Sequence, residues 1–213
     1  DALLNIIFEK DTLFMTANKF VSNNIKGKEN IVAYNNVKIF KEDFQAKCDS
    51  LYYSLTDSVV DLYNNPVLWV DDMQITSDSI NIKMFHQKIH RMYFYPNPII
   101  VAKADSFHYN QIKGKYMVGI FNENKLQKLN VVGNGQSLFL VEDEQNKKIG
   151  INKAICTDIS INMLDSKLSN ITYKIMPKSI TTPFNEVKEE DKYLDGFNWR
   201  MDEKPKSKQD ILN

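Results

Sequence analysis

Val67-Leu68-Trp69-Val70-Asp71-Asp72-Met73-Gln74-Ile75-Thr76-Ser77-Asp78-Ser79-Ile80-Asn81-Ile82 is the stretch from which the fold follows. Met73, Ile75 and Ser77 alternate with Gln74 and Thr76, Asp78 and Ser79 intervene, and apolar alternation resumes at Ile80 and Ile82. A strand sends every second side chain to the same face. The change from odd to even positions therefore predicts a corner or bulge at Asp78-Ser79 that keeps the apolar side inward. The same device recurs where Leu13, Met15, Ala17 precede Asn18-Lys19 and Phe20, where Phe44, Ala46, Cys48 precede Asp49-Ser50 and Leu51, Tyr53, and where Ile100, Ala102, Ala104 precede Asp105-Ser106 and Phe107, Tyr109. The corners expected at 18, 49, 78 and 105 are 31, 29 and 27 residues apart.

A second marker keeps step with the first. Val59 and Leu62, Ile89 and Met92, Leu126 and Leu129, Leu168 and Ile171 are apolar pairs three apart, the last three each preceded by lysine (Lys88, Lys125, Lys167). Residues 31–63 align without gaps on 60–92, so that Tyr34-Asn35-Asn36 falls on Tyr63-Asn64-Asn65 and Asp49-Ser50 on Asp78-Ser79. Repetition at such a period is the signature of a stacked repeat fold. The expectation is an all-β, elongated stack of antiparallel repeats of about 29 residues. Each repeat reads strand, Asn-rich turn, strand, acidic hairpin tip (Glu42-Asp43, Asp71-Asp72), strand, corner, strand.

Residues 1–176 read as the repeat domain. Gln111 to Phe121 reads as an insertion, with Gly114 and Gly119 marking bulges or close backbone approach. Pro96-Asn97-Pro98 belongs at a turn or edge, and the fourth hairpin tip is expected at Gln145 to Lys148. Ile155, Thr157, Ile159, Ile161 and Met163 share one parity, which predicts a straight strand through Asp158. The remainder, 177–213, is a charged tail: a solvated connection over 178–192, an aromatic segment at 193–199 expected to cap an open end of the sheet, and disorder from Lys204 on. The opposite edge, Leu3 to Phe8, is expected to take a partner strand.

Composition narrows the function classes. Lysine plus arginine and aspartate plus glutamate both total 27, so no field that would gather nucleic acid is implied. No apolar run approaches the length of a membrane-spanning helix. The first residue is Asp1, which reads as a processed product or an excised piece. The strand register points Cys48 inward and Cys156 outward, so both are expected to be free.

No catalytic pattern emerges. His86, His90 and His108 fall in expected strand positions without Cys or carboxylate at metal-ligand spacing, and read as structural. Asp49, Asp78 and Asp105 read as corner formers that bond their own backbone, not as a calcium array, because each is followed by Ser and no glycine loop. Gly133-Asn134-Gly135 lacks the helix start of a phosphate loop and is a turn. No cofactor or metal is expected.

The phrases Cys48-Asp49-Ser50-Leu51-Tyr52-Tyr53, Asn65-Pro66-Val67-Leu68-Trp69, Ser77-Asp78-Ser79-Ile80, Ile112-Lys113-Gly114-Lys115-Tyr116-Met117 and Val131-Val132-Gly133-Asn134-Gly135, in this order and phase, resemble the OstA/LptA-like proteins, in particular the longer version of Bacteroidetes-type bacteria. Asp195-Gly196-Phe197-Asn198-Trp199 is similar to that version's C-terminal end. The resemblance implies a periplasmic β-jellyroll, or β-taco, whose apolar interior carries lipopolysaccharide acyl chains from the inner toward the outer membrane. Its partners would be lipopolysaccharide or another acylated lipid, and other jellyroll transport components joined by edge-strand stacking, including copies of itself. Independently, small inward residues alternating with bulky ones leave room along the long axis. The expected lipid-binding track is Ala46, Cys48, Leu51, Tyr53, Ile75, Ile80, Ile82, Ala102, Ala104, Phe107 and Tyr109. The alternative is a filled core in an interaction scaffold that assembles through sheet edges.

Overall fold

The computed structural model describes residues 2–8, 11–42, 44–70, 72–145, 147–164 and 167–212. The hairpin-tip residues Asp43, Asp71 and Asn146 lie outside them. The strands run β1 (Ala2–Phe8), β2 (Asp11–Ala17), β3 (Lys19–Ile25), β4 (Lys28–Lys41), β5 (Phe44–Ser54), β6 (Val59–Tyr63), β7 (Val67–Val70), β8 (Met73–Thr76), β9 (Ser79–Phe85), β10 (Lys88–Tyr95), β11 (Ile99–Lys103), β12 (Tyr109–Lys113), β13 (Tyr116–Asn122), β14 (Lys125–Glu142), β15 (Lys148–Leu164), β16 (Lys167–Lys174) and β17 (Lys178–Pro183). All pair antiparallel in one sheet, which folds lengthwise into two layers. The first layer pairs in the order β1-β2-β4-β5-β7-β8-β11-β12-β14-β15-β17. The second runs β3-β4-β5-β6-β9-β10-β13-β14-β15-β16. The long strands β4, β5, β14 and β15 belong to both, each crossing from layer to layer midway.

The crossings form a spine of corners. On one side of each junction stand residues in the left-handed region: Asn35 and Asn36 (φ 59° and 54°), Asn64 and Asn65 (59° and 56°), Asn97 (54°), Gly133 and Asn134 (72° and 52°), Ile175 and Met176 (60° and 49°). Opposite them the chain spends two residues between inward positions, as at Cys48 and Leu51, both buried around Asp49-Ser50. Backbone bonds bridge the junctions: Asn18 N–H donates to Asn35 O (3.0 Å), Asp78 to Pro96 (3.2 Å), Lys115 to Gly133 (2.7 Å) and Thr157 to Ile175 (3.2 Å). Asparagine tolerates this backbone because its short polar side chain offsets the steric cost locally. The corners expected at 18, 49 and 78 are therefore present.

Two corner assignments are corrected. Asp105 caps a hairpin tip, accepting the N–H groups of Phe107 (2.7 Å) and His108 (2.8 Å), while β11 and β12 pair with each other on either side. The corner of that repeat lies at Gly114-Lys115, so 111–121 is no insertion; it is β12, a corner and β13. A Cβ on Gly114 would come within 2.3 Å of Val131 Cγ1, which is the close approach its glycine permits. Asp158 does stand at a corner. Cys156 and Ile159 are both buried in the same cluster, and Asp158 Oδ1 accepts the N–H of Gly133 (3.0 Å). Cys156 thus points inward, whereas Ile155 is 50% exposed. Both cysteines are free and buried.

Three of the four three-apart apolar pairs find a cause, whereas Val59 and Leu62 lie in a strand paired in regular register. The ladders slip by one residue at His90, Gln127 and Ser169, just after the hairpin turns, as β-bulges do. The bulge sets Ile89 apart from Met92 and Leu126 from Leu129 on the inner side. His86 sits in a hairpin turn (φ 47°), not in a strand.

Residues 178–192 are mostly exposed, as a solvated connection would be, yet form regular structure, and 204–212 are ordered, contrary to the expectation of disorder there. β17 pairs with β15, three 3₁₀ turns (Phe184–Glu186, Glu189–Lys192, Met201–Glu203) follow, and a short helix, α1 (Lys208–Leu212), buries Ile211 completely. This segment straps the outer face of the first layer instead of capping an end. Leu194, Phe184, Val187, Phe197 and Trp199 pack on Ile99, Val101, Leu138 and Ile151. Two buried glutamines clasp its backbone alike. Gln111 donates to Lys192 O (2.8 Å) and accepts from Leu194 N (2.8 Å); Gln74 donates to Asn198 O and accepts from Arg200 N, each 2.6 Å. Thr16 Oγ1 donates to Ile211 O (2.8 Å). Glu203 pairs with Lys47 and Arg200, both at 2.6 Å.

Two outcomes are expected. Asn36→Val should cost about 1–2 kcal/mol in urea unfolding, and Ile175→Asn should gain roughly as much, because a β-branched side chain suits neither left-handed position. The Arg200 hydrogen bond holds the Glu203 carboxyl down at about 2. Since its folded value lies below its unfolded one, its contribution is complete above the unfolded value of about 4.3 and fades as pH falls toward the folded one. The stability gap between the natural chain and Glu203→Gln should therefore shrink between those limits and be flat from pH 5 to 8.

Candidate functional site

The space between the layers is filled from the spine outward by apolar side chains. Ala17, Ala33, Val37, Ala46, Leu51, Leu62, Ile80, Met92 and Met117 lie within it, each at most 1% exposed. Among the described residues the side away from the spine has hairpin tips and no corners. First-layer tips (at Glu42, at Asp72 and at 104–108) and second-layer turns (26–27, 55–58, 86–87, 123–124) face each other there as two lips.

Between the lips lies a cleft with a cavity of about 70 Å³. Ile6, Leu13, Met15, Ile39, Phe44 and Val70 form its first-layer wall; Tyr53, Val60, Ile82, Met84, Ile89 and Phe121 form the second. Lys41, Gln87 and Asn124 are the polar lining residues, all beside hairpin tips. Asn124 Oδ1 accepts the Ile89 N–H (2.8 Å), so the bulge and the lip are tied together. Lys88 pairs with Glu123 across two neighbouring turns of the same lip. Burial pushes the Tyr53 phenol up and the Cys48 thiol up to about 12, which marks the interior as a poor host for charge. A cavity of about 150 Å³ suffices for a benzene-sized guest. One of 70 Å³ admits a few methylenes at its mouth, and anything longer requires the layers to part.

The structure brings Ala46, Cys48, Leu51, Ile75, Ile80 and Ile82 into one buried cluster, with Tyr53 packed against it. Tyr53 and Ile82 reach the cleft wall. Ala102 is half-buried on the same side of β11 as Ile100, and Ala104 is half-buried in the 104–108 tip. Phe107 and Tyr109 are not interior residues. Phe107, at the tip, is 79% exposed. Tyr109 lies on the outer face beneath the strap, its ring 5.1 Å from Phe197 and 5.0 Å from Trp199. The displaced corner explains both: beyond Asp105 the chain reverses within its own layer, and its parity no longer reports the interior. Most of the cleft wall, including Ile6, Leu13, Phe44, Val60, Met84 and Phe121, lay outside the expected track. Strand parity places these side chains inward but does not tell lip from spine; the hairpin turns do.

No family model matches the chain, and no curated protein matches it by sequence. Among solved structures it is similar to LptH from Pseudomonas aeruginosa, described as the LptA homologous periplasmic component of the conserved lipopolysaccharide transport device. The TM-score is 0.50 at 9% identity, over 67% of this chain and 99% of that one. The shared property is the fold, an LptA-like β-jellyroll.

Buried thiols high in pKa react slowly. In the native protein at pH 8, Cys48 and Cys156 should both resist a soluble maleimide, and label fully only in denaturant; fast native labelling of Cys48 would show that the spine side is open to water.

Proposed function

We propose that this chain is a periplasmic lipid carrier that takes acyl chains, those of lipopolysaccharide first, between its two layers on the way toward the outer membrane. The observation that carries the reading is the cleft between the lips, walled on both layers by aliphatic and aromatic side chains and rimmed by polar ones. Each methylene moved from water into such a site is worth about 0.8 kcal/mol. The fold shared with LptH supports the same reading. Carriage makes and breaks no bond, so the interior needs no catalytic group. Residues 1–176 would supply the carrier and 177–213 the strap that stiffens its outer face. No helix among the described residues is long and apolar enough to cross a membrane. Other jellyroll components, or a second copy, would join at β1, whose far side has no partner strand among the described residues.

The tight interior favours a second reading, a filled sandwich that serves as a scaffold through its edges. A photo-reactive residue separates the two. Placed at Ile82, on the cleft wall, it should capture lipopolysaccharide; placed at the adjacent exposed Lys83, it should not. Equal capture at both positions, or none at either with lipid present, would favour the scaffold.

A further inference from the structure

The cleft does not run the length of the stack. Its wall ends at Phe121 and Asn124, and nothing from β15, β16 or β17 lines it. Beyond it the apolar cluster continues through Leu129, Val131, Cys156, Ile159 and Ile161, but one polar pair stands within it. Ser137 of β14 stands in register with Ile112 and Ala154, points inward and is fully buried. Tyr173 of β16, in register with Ile159, packs against the same core from the second layer. Ser137 Oγ and Tyr173 OH meet at 2.8 Å, so a hydrogen bond crosses the interior and ties layer to layer. Behind it, at the exposed end of the first layer, Asn152 Nδ2 donates to Ser179 Oγ (2.7 Å) and Thr181 Oγ1 (2.9 Å). The last strand is thus inverted relative to β1. Leu4 and Ile6 of β1 pack on the core, whereas β17 carries Ser179 and Thr181 on the inner-side parity, both exposed at the end of the stack, and leaves Ile180 70% exposed on the other side.

We infer that the acyl track is one-ended: the Ser137–Tyr173 tie, with the water-exposed Ser179 and Thr181 beyond it, is a polar stop that admits hydrocarbon from the β1 side and the lips but bars it from the β16–β17 end. The inference rests on the lipid-carrier reading and adds the direction in which a chain can lie. Hydrocarbon sliding past the tie would leave two hydroxyls unpaired in an apolar space, which opposes passage. An acylated lipid would therefore seat with its chain tips toward the β1–β13 half and leave only there.

The test uses the full chain carrying p-benzoylphenylalanine at Ile82 or at Ser179, irradiated with lipopolysaccharide micelles. Capture at Ser179 should be lower than at Ile82 by about tenfold, the factor that an unmade buried hydrogen bond sets. Tyr173→Phe keeps the ring and removes the hydroxyl, and should raise capture at Ser179 while leaving Ile82 unchanged. Equal capture at both sites in the natural sequence, or a Tyr173→Phe chain in which Ser179 stays at background, overturns the stop. Silence at Ile82 overturns lipid carriage itself, and the stop with it. Melting curves of each variant establish that it is folded.

Discussion

The two-residue period of a β-strand governs this molecule. A chain that passes from one layer of a folded sheet to the other must keep its apolar side chains pointing at the same interior, and strict alternation forbids it. The spine resolves the conflict in a fixed way: two residues intervene on one strand, and left-handed residues stand opposite. Everything else is placed by that solution. The interior lies on one side of the spine, the lips on the other, and the outer face of the first layer becomes available for the strap.

How much of this is legible in the sequence depends on how each corner is spelled. Asp49-Ser50 and Asp78-Ser79 announce theirs because Asx and Ser bond nearby backbone, and Tyr34-Asn35-Asn36 and Tyr63-Asn64-Asn65 announce the opposite sides; the tyrosines are equally exposed, at 42% each. Gly114-Lys115 carries no such signature, and the Asx-Ser of the 104–108 tip imitates it. Asp158 was hidden by an apolar residue on the wrong face, since the exposed Ile155 extends the parity of Ile159 and Ile161 backward across the break. Ile175-Met176 is illegible as a corner, because its sequence offers two residues that avoid the backbone they adopt.

The strap was unreadable for a different reason. Its apolar residues are few and its hydrogen bonds run from backbone to the side chains of Gln74 and Gln111, partners 81 to 126 residues away in sequence. A charged segment with isolated aromatic residues looks solvated unless the surface that receives it is known. That surface had its own mark, since Val67, Trp69, Ile99 and Val101 are apolar on the side a one-faced sheet would leave to water.

The lips have a mechanical meaning. Where the ladder passes from layer to layer it does so at the spine, and the facing walls of the cleft touch through side chains alone. Swinging them apart is then motion about a hinge, like opening a book along its binding, and leaves the backbone hydrogen bonds of both pages intact. The resistance comes from apolar surface meeting water, and a guest that covers that surface removes it as it enters. Stiffness along the stack and compliance across it coexist because different forces supply them.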